Sequence, residues 1–171
     1  MNTALQNPPG TKTDERPIAR VTKNITDVVI WTLPATPERI FPLLCPVREY
    51  DWIPWWRAEL IHSKSGFAEE NCIFRTHVGP PAGLTWVCTR FEPNQAIDYT
   101  CFAPDKLIVR LKILLVPIAN TTQIVWTRDW LSLGAAGDAV IEQWSATEYR
   151  AIMAQHEKDM EHYLRTGRLP A

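Results

Sequence analysis

The sequence predicts an α+β domain in which a curved, seven-stranded antiparallel sheet grips one long C-terminal helix. Three observations carry this. Apolar residues alternate at period two through six consecutive segments between 58 and 132, separated by clusters of turn-forming residues. A β-branched run, "ITDVVIWTL", precedes them, set apart by two proline-broken stretches. After "GAAGD" the period turns helical and stays so almost to the end. Short turns between successive strands favour antiparallel pairing. The one apolar face of such a sheet needs a cover, and an amphipathic helix laid across it gives a two-layer domain.

The elements follow in order. Residues 1–22 are polar and rich in Pro and Thr and read as a flexible tail; 23–168 read as a single domain. The first strand is 25–33, stopped by Pro34. "TPERIFPLL" opens a helix with Thr36 as N-cap and Pro37 at the first position, and Pro42 and Pro46 end it early. "REYDWIPWW" holds a second short helical turn, closed by Pro54. Strands are expected in "AELIHSKSG", "NCIFRTHV", "LTWVCTRFEP", "AIDYTCF", "KLIVRLKILLVPI" and "TTQIVWTRDWLSL", with a turn at "GPPAG". Asp138 is the expected N-cap of a helix over 139–166, roughly 28 residues and about 42 Å long. Gly167 supplies its stop.

Composition closes off several function classes. The net charge of -1 comes from 18 basic and 19 acidic residues that are scattered, so there is no electrostatic footprint for nucleic acid. No apolar run approaches the ~18 residues of a membrane span, and the first residues carry no secretory h-region. A cytoplasmic location follows. The four cysteines form no CxxC pair and have no histidine at zinc spacing, so they read as buried reduced thiols. No P-loop, dinucleotide fingerprint, nucleophile elbow or metal motif is visible, so neither a cofactor nor a metal is expected.

Eight tryptophans are the outstanding excess. A sheet closed over one helix leaves a cavity that a single apolar stripe does not fill, or a set of bulky aromatics that fills it. Trp suits both outcomes, having a large apolar body and one N–H donor.

The element order resembles the helix-grip fold of the START, Bet v 1 and polyketide cyclase superfamily. "CPVREYDWIPWW", "AELIHSKSGFAEENCIFRT" and the terminal "HEKDMEHYLRTG" resemble a bacterial branch described as SRPBCC-type proteins. The likeness covers about 25 to 167. It implies two short helices forming a V under the C-terminal end of the long helix, with the 45–56 run at the pocket entrance. It also implies a pocket between the concave sheet face and the inner face of the long helix. Members of that superfamily bind lipids, sterols, polyketides or hormones, close polyketide rings, or assist chaperones.

Strand parity supplies the expected ligand contacts. With Arg110 and Lys112 facing water, Val109, Leu111 and Ile113 face inward. Trp86 and Cys88 are placed inward with Arg90 on the same side, opposite Thr85, Val87, Thr89 and Phe91. Phe74, Thr76 and Tyr99 complete the sheet's share. In 124–131 a Trp126, Arg128, Trp130 face competes with a Val125, Thr127, Asp129, Leu131 face, and parity stays open. Trp52 and Trp56 form an aromatic wall at the mouth, and Met153 and His156 come from the long helix. Glu49 and His156 are the candidate proton-transfer groups. A desolvated Glu49 has a raised pKa and acts as a general acid, whereas a Glu49 paired with Arg48 only braces the loop.

The leading expectation is a module that binds an apolar or aromatic small molecule. The alternatives are a cyclase, dehydratase or hydrolase using acid–base residues in the same cavity, and a protein-interaction module with a filled interior. Whether the chain is a monomer or a homodimer is left open.

Overall fold

Side-chain alternation decides which face of each strand turns inward. In the computed structural model, which describes residues 22–77, 83–144 and 146–171, β1 (Asn24–Leu33) buries Asp27, Trp31 and Leu33 and leaves Val28 and Ile30 outside. β2 (Ala58–His62), β3 (Ile73–Thr76), β4 (Thr85–Glu92), β5 (Ala96–Ala103), β6 (Leu107–Ile118) and β7 (Thr121–Ser132) follow. They form one sheet in the order β1-β7-β6-β5-β4-β3-β2, each neighbour antiparallel. The first two strands therefore lie at opposite edges. The expected tail, apart from Thr22, and most of the 79–83 turn lie outside the described residues.

Between β1 and β2 the prolines keep the helices short. α1 (Pro37–Ile40) starts with proline at its first position and runs into a 3₁₀ segment, Phe41–Leu44; Glu49–Asp51 forms a second 3₁₀ turn. The first braces the sheet through apolar side chains, with Ile40, Leu43 and Leu44 buried, whereas the Glu49–Asp51 turn buries none of its residues.

Two expectations are corrected. The helix over 139–166 is two helices, α2 (Ala135–Glu142) and α3 (Ala146–Thr166). Asp138 lies within the first turn of α2, whose N-cap is Gly134. The break comes where Trp144 leaves the helical path: its indole donates to Asp27 Oδ2 of β1 at 2.9 Å and packs between Trp130 and Tyr149. The parity of β4 also changes midway. A bulge between Cys88 and Arg90 inserts Thr89 and turns Phe91 inward, onto Phe41 at 5.3 Å, while Arg90 is left exposed.

The two helices are fastened differently. α2 approaches the β5–β6 turn so closely that a Cβ on Gly137 would lie 2.0 Å from the Lys106 carbonyl oxygen. α3 buries Tyr149, Met153 and Met160, and Glu157 accepts a 2.9 Å bond from the backbone N–H of Thr32 on edge strand β1. Arg39 of α1 donates to the Leu164 carbonyl at 2.8 Å, and Gly167, at φ +66°, ends the helix.

Candidate functional site

An inward strand face set against a helix does not fill its own interior when both present flat, rigid rings. Here a cavity of about 410 Å³ remains between the concave sheet, the 44–56 segment and the α2–α3 junction. Trp52, which directly follows the second 3₁₀ turn, and Trp56, four residues further on, fix one wall. Their indoles donate to the Leu43 and Pro46 carbonyls at 2.8 Å each, which fixes both rings. Trp55 is 44% exposed at the rim and packs on His156 with ring centroids 5.2 Å apart.

Glu49 enters this cavity because of the geometry of its turn. Residues three apart eclipse in a 3₁₀ helix. Arg48 therefore meets Asp51, with its Nε donating to Oδ2 at 2.5 Å, and reaches the Tyr163 hydroxyl at 3.4 Å. The pairing of Glu49 with Arg48 is thus not formed. Glu49 lies on the side of Trp52, lines the cavity and has no hydrogen-bond partner among the described residues. Burial alone pushes its carboxyl up to about 8, so it is protonated at neutral pH.

His156 faces the same space from α3. Its ring meets Trp52 edge-on at 5.8 Å, and its Nε2 is buried without a partner. Burial first, then the charge of Arg128, hold it down at about 4, so it is neutral over the working pH range. The cavity thus holds an acid that keeps its proton and a base that lacks one.

Of the other expected contacts, Phe74, Thr76, Trp86, Tyr99, Leu111, Ile113 and Met153 line the cavity. Two hydroxyls are already engaged. Thr76 Oγ1 accepts from Trp86 Nε1 at 3.1 Å, and the Tyr99 hydroxyl donates to the Leu44 carbonyl at 3.0 Å. Cys88 and Val109 are buried but do not reach the cavity. The Cys88 thiol sits against Cys72, and Val109 lies beside Trp130 in the β6–β7 register, where the indole is the lining group.

The open parity of β7 closes with Trp126, Arg128 and Trp130 inward and lining the cavity. Tyr149 joins them from α3. The available sequence signal was the Trp-x-Arg-x-Trp alternation itself, a charge held at strand period between two large rings. Among the described residues no three His, Cys, Asp or Glu side chains converge as a metal-binding set.

No family model matches this chain, and no curated protein matches it. Solved structures do. Ara h 8.0201 superposes with a TM-score of 0.61 at 16% identity, over 84% of this chain and 99% of its own. The fold is Bet v 1-like. A norcoclaurine synthase point mutant from Thalictrum, in complex with a transition-state analogue, gives 0.63 at 15% identity, over 84% of this chain and 99% of its own. DynU16, from the dynemicin biosynthetic locus, gives 0.58 at 17% identity, over 84% of this chain and 48% of its own. The helix-grip architecture is therefore shared between this chain and these three proteins. No α-helix among the described residues is long and apolar enough to cross a membrane.

Proposed function

We propose that this chain binds an apolar, ring-bearing small molecule in the cavity between its sheet and α3. The observation that supports this most directly is the combination of a 410 Å³ space, aromatic walls and only a few unengaged polar groups. Each 100 Å² of apolar ligand surface withdrawn from water contributes about 2.5 kcal/mol before the losses of association. Rigid indoles add contact area at little entropic cost. The protonated Glu49 donates a hydrogen bond to a ligand carbonyl or hydroxyl and so sets its orientation. A Thalictrum norcoclaurine synthase of the same fold, solved with dopamine and hydroxybenzaldehyde, is a precedent for aromatic molecules held by this architecture. The interaction-module reading expected a filled interior, and the cavity speaks against it.

Native mass spectrometry of freshly purified protein, followed by denaturing extraction, tests the proposal. A mass increment that disappears on denaturation, and an apolar aromatic compound in the extract, are expected. A clean apo mass together with no thermal shift from a panel of aromatic compounds would overturn it.

One observation favours acid–base chemistry as a second reading. Glu49 and His156 present a held proton and a vacant base to one cavity. A cyclase, dehydratase or hydrolase acting by proton transfer would use Glu49 as general acid and His156 as general base. Consumption of the extracted compound, with a rate that falls as pH rises through about 8 and is lost in Glu49→Gln, is the expected signature. An unaltered compound after prolonged incubation rules it out.

A further inference from the structure

Arg128 is the one guanidinium among the described residues that lines the cavity. A cation in an apolar space needs a counter-charge, or it remains costly there. Arg128 forms no ion pair among the described residues. Asp27 lies directly across the β1–β7 register, yet its Oδ2 is taken by the Trp144 indole at 2.9 Å. Glu148, from the first turn of α3, lines the same cavity and closes no ion pair with it.

Arg128 is instead held by rings. Its Cζ lies 5.1 Å from the Trp130 centroid and 5.2 Å from that of Tyr149. Cation–π contacts of this kind fix a guanidinium in place without neutralising it. Its Nε is buried and unbonded behind the cavity wall, and no hydrogen bond among the described residues occupies its terminal nitrogens, which are not buried. The Tyr149 hydroxyl beside it has no hydrogen-bond partner among the described residues either. The charge of Arg128 also reaches Tyr149, His156 and Cys101, while Asp27 is the nearest carboxylate across the sheet.

We propose that Arg128 and the Tyr149 hydroxyl form a subsite for the carboxylate of an otherwise apolar, ring-bearing acid. This rests on the cavity-binding reading above and names its ligand class. A planar guanidinium presents parallel N–H donors that match a carboxylate, and one cation matches one negative charge. The sheet also sets a length. Arg128, Leu111 and Tyr99 are partners in successive strands, so the first and third are about 10 Å apart at two strand spacings. Glu49 acts on Tyr99 and stands at that far end. A molecule with its acid head on Arg128 and a carbonyl or hydroxyl near Glu49 spans the cavity with one or two rings between.

Calorimetric titration with 1-naphthoate and its neutral isostere 1-naphthamide at pH 7 tests this. The unaltered protein is expected to bind the carboxylate roughly tenfold or more tightly than the amide. Arg128→Gln loses about 10- to 100-fold for 1-naphthoate and at most about 3-fold for 1-naphthamide. Tyr149→Phe, which keeps the ring, loses about 3- to 10-fold for the carboxylate alone. Arg128→Lys restores part of the loss, as a point charge without the fork. If the unaltered protein shows no preference for the carboxylate, the subsite is wrong whether or not Arg128→Gln folds. Equal naphthoate affinity in the unaltered protein, Arg128→Gln and Tyr149→Phe overturns it too. Failure of both probes to bind instead sinks the cavity-binding reading on which the subsite depends.

Discussion

Replacing Glu49 by Gln removes an acid whose proton the fold holds and solvent does not. The unfolded chain releases that proton near 4.5 and the native state near 8. Between those values the native state binds more protons than the unfolded one, so stability falls as pH rises. The effect is absent below 4.5, grows through neutrality and levels off above 8. At 1.36 kcal/mol per unit, the full gap corresponds to about 4–5 kcal/mol, and about 3 kcal/mol of it is developed by pH 7. Glutamine has the same shape, no proton to lose and no such slope. Urea unfolding of both proteins at pH 4.5, 7 and 8.5 is the assay. Glu49→Gln is expected to match the parent at pH 4.5 and exceed it progressively above. Parallel stability curves for the two proteins would refute the desolvation argument, because a carboxyl that ionises normally gives no difference in slope.

The acid side gives the mirror prediction. His156, held at about 4 against an ordinary 6.5, contributes stability that is lost as pH falls from 6.5, about 1–2 kcal/mol by pH 5. His156→Gln should flatten that limb in the same urea series, and an unchanged limb would assign it elsewhere. The Glu49 and His156 slopes oppose each other between about pH 4.5 and 6.5, so differences between variant and parent are the quantity to read. Gly137→Ala gains helix propensity but drives a methyl into the Lys106 carbonyl, for a net loss of about 2 kcal/mol. A thermal melt at unchanged temperature would show that α2 does not pack so tightly there. Trp144→Phe deletes the donor to buried Asp27 and should lower stability by about 1–3 kcal/mol in urea; no loss would mean that the bond is dispensable.

The strands were legible wherever one face was plainly charged. Arg110 and Lys112 against Val109 and Ile113 oriented β6 without ambiguity, and the structure places the first two outward. β7 was not legible, because its inward face carries an arginine between two tryptophans and breaks the rule that charge marks the wet side. The bulge at Thr89 was invisible to alternation, which assumes one residue opposite one. The division of the helix was not legible, because one helical period runs through both halves and Trp144 leaves the path only to reach Asp27 of β1. Around Glu49 the sequence offered several charged partners at once. Only the tightness of a 3₁₀ turn decides that Arg48 takes the residue three along, leaving the carboxyl to the cavity.

The placement of β1 has a consequence for synthesis. Among the described residues its one partner in the sheet is β7, with Asn24 registered to Leu131. A nascent chain carries that first strand, with Trp31 and Leu33 on its apolar side, through some hundred residues before anything can pair with it. Five strands can zip to their sequence neighbours in the meantime, whereas the outermost closure waits for a contact spanning most of the chain and is entropically the last to form. Truncation ahead of residue 121 therefore leaves an unpaired, aromatic edge, the form in which a protein of this topology is most exposed to association with its own copies.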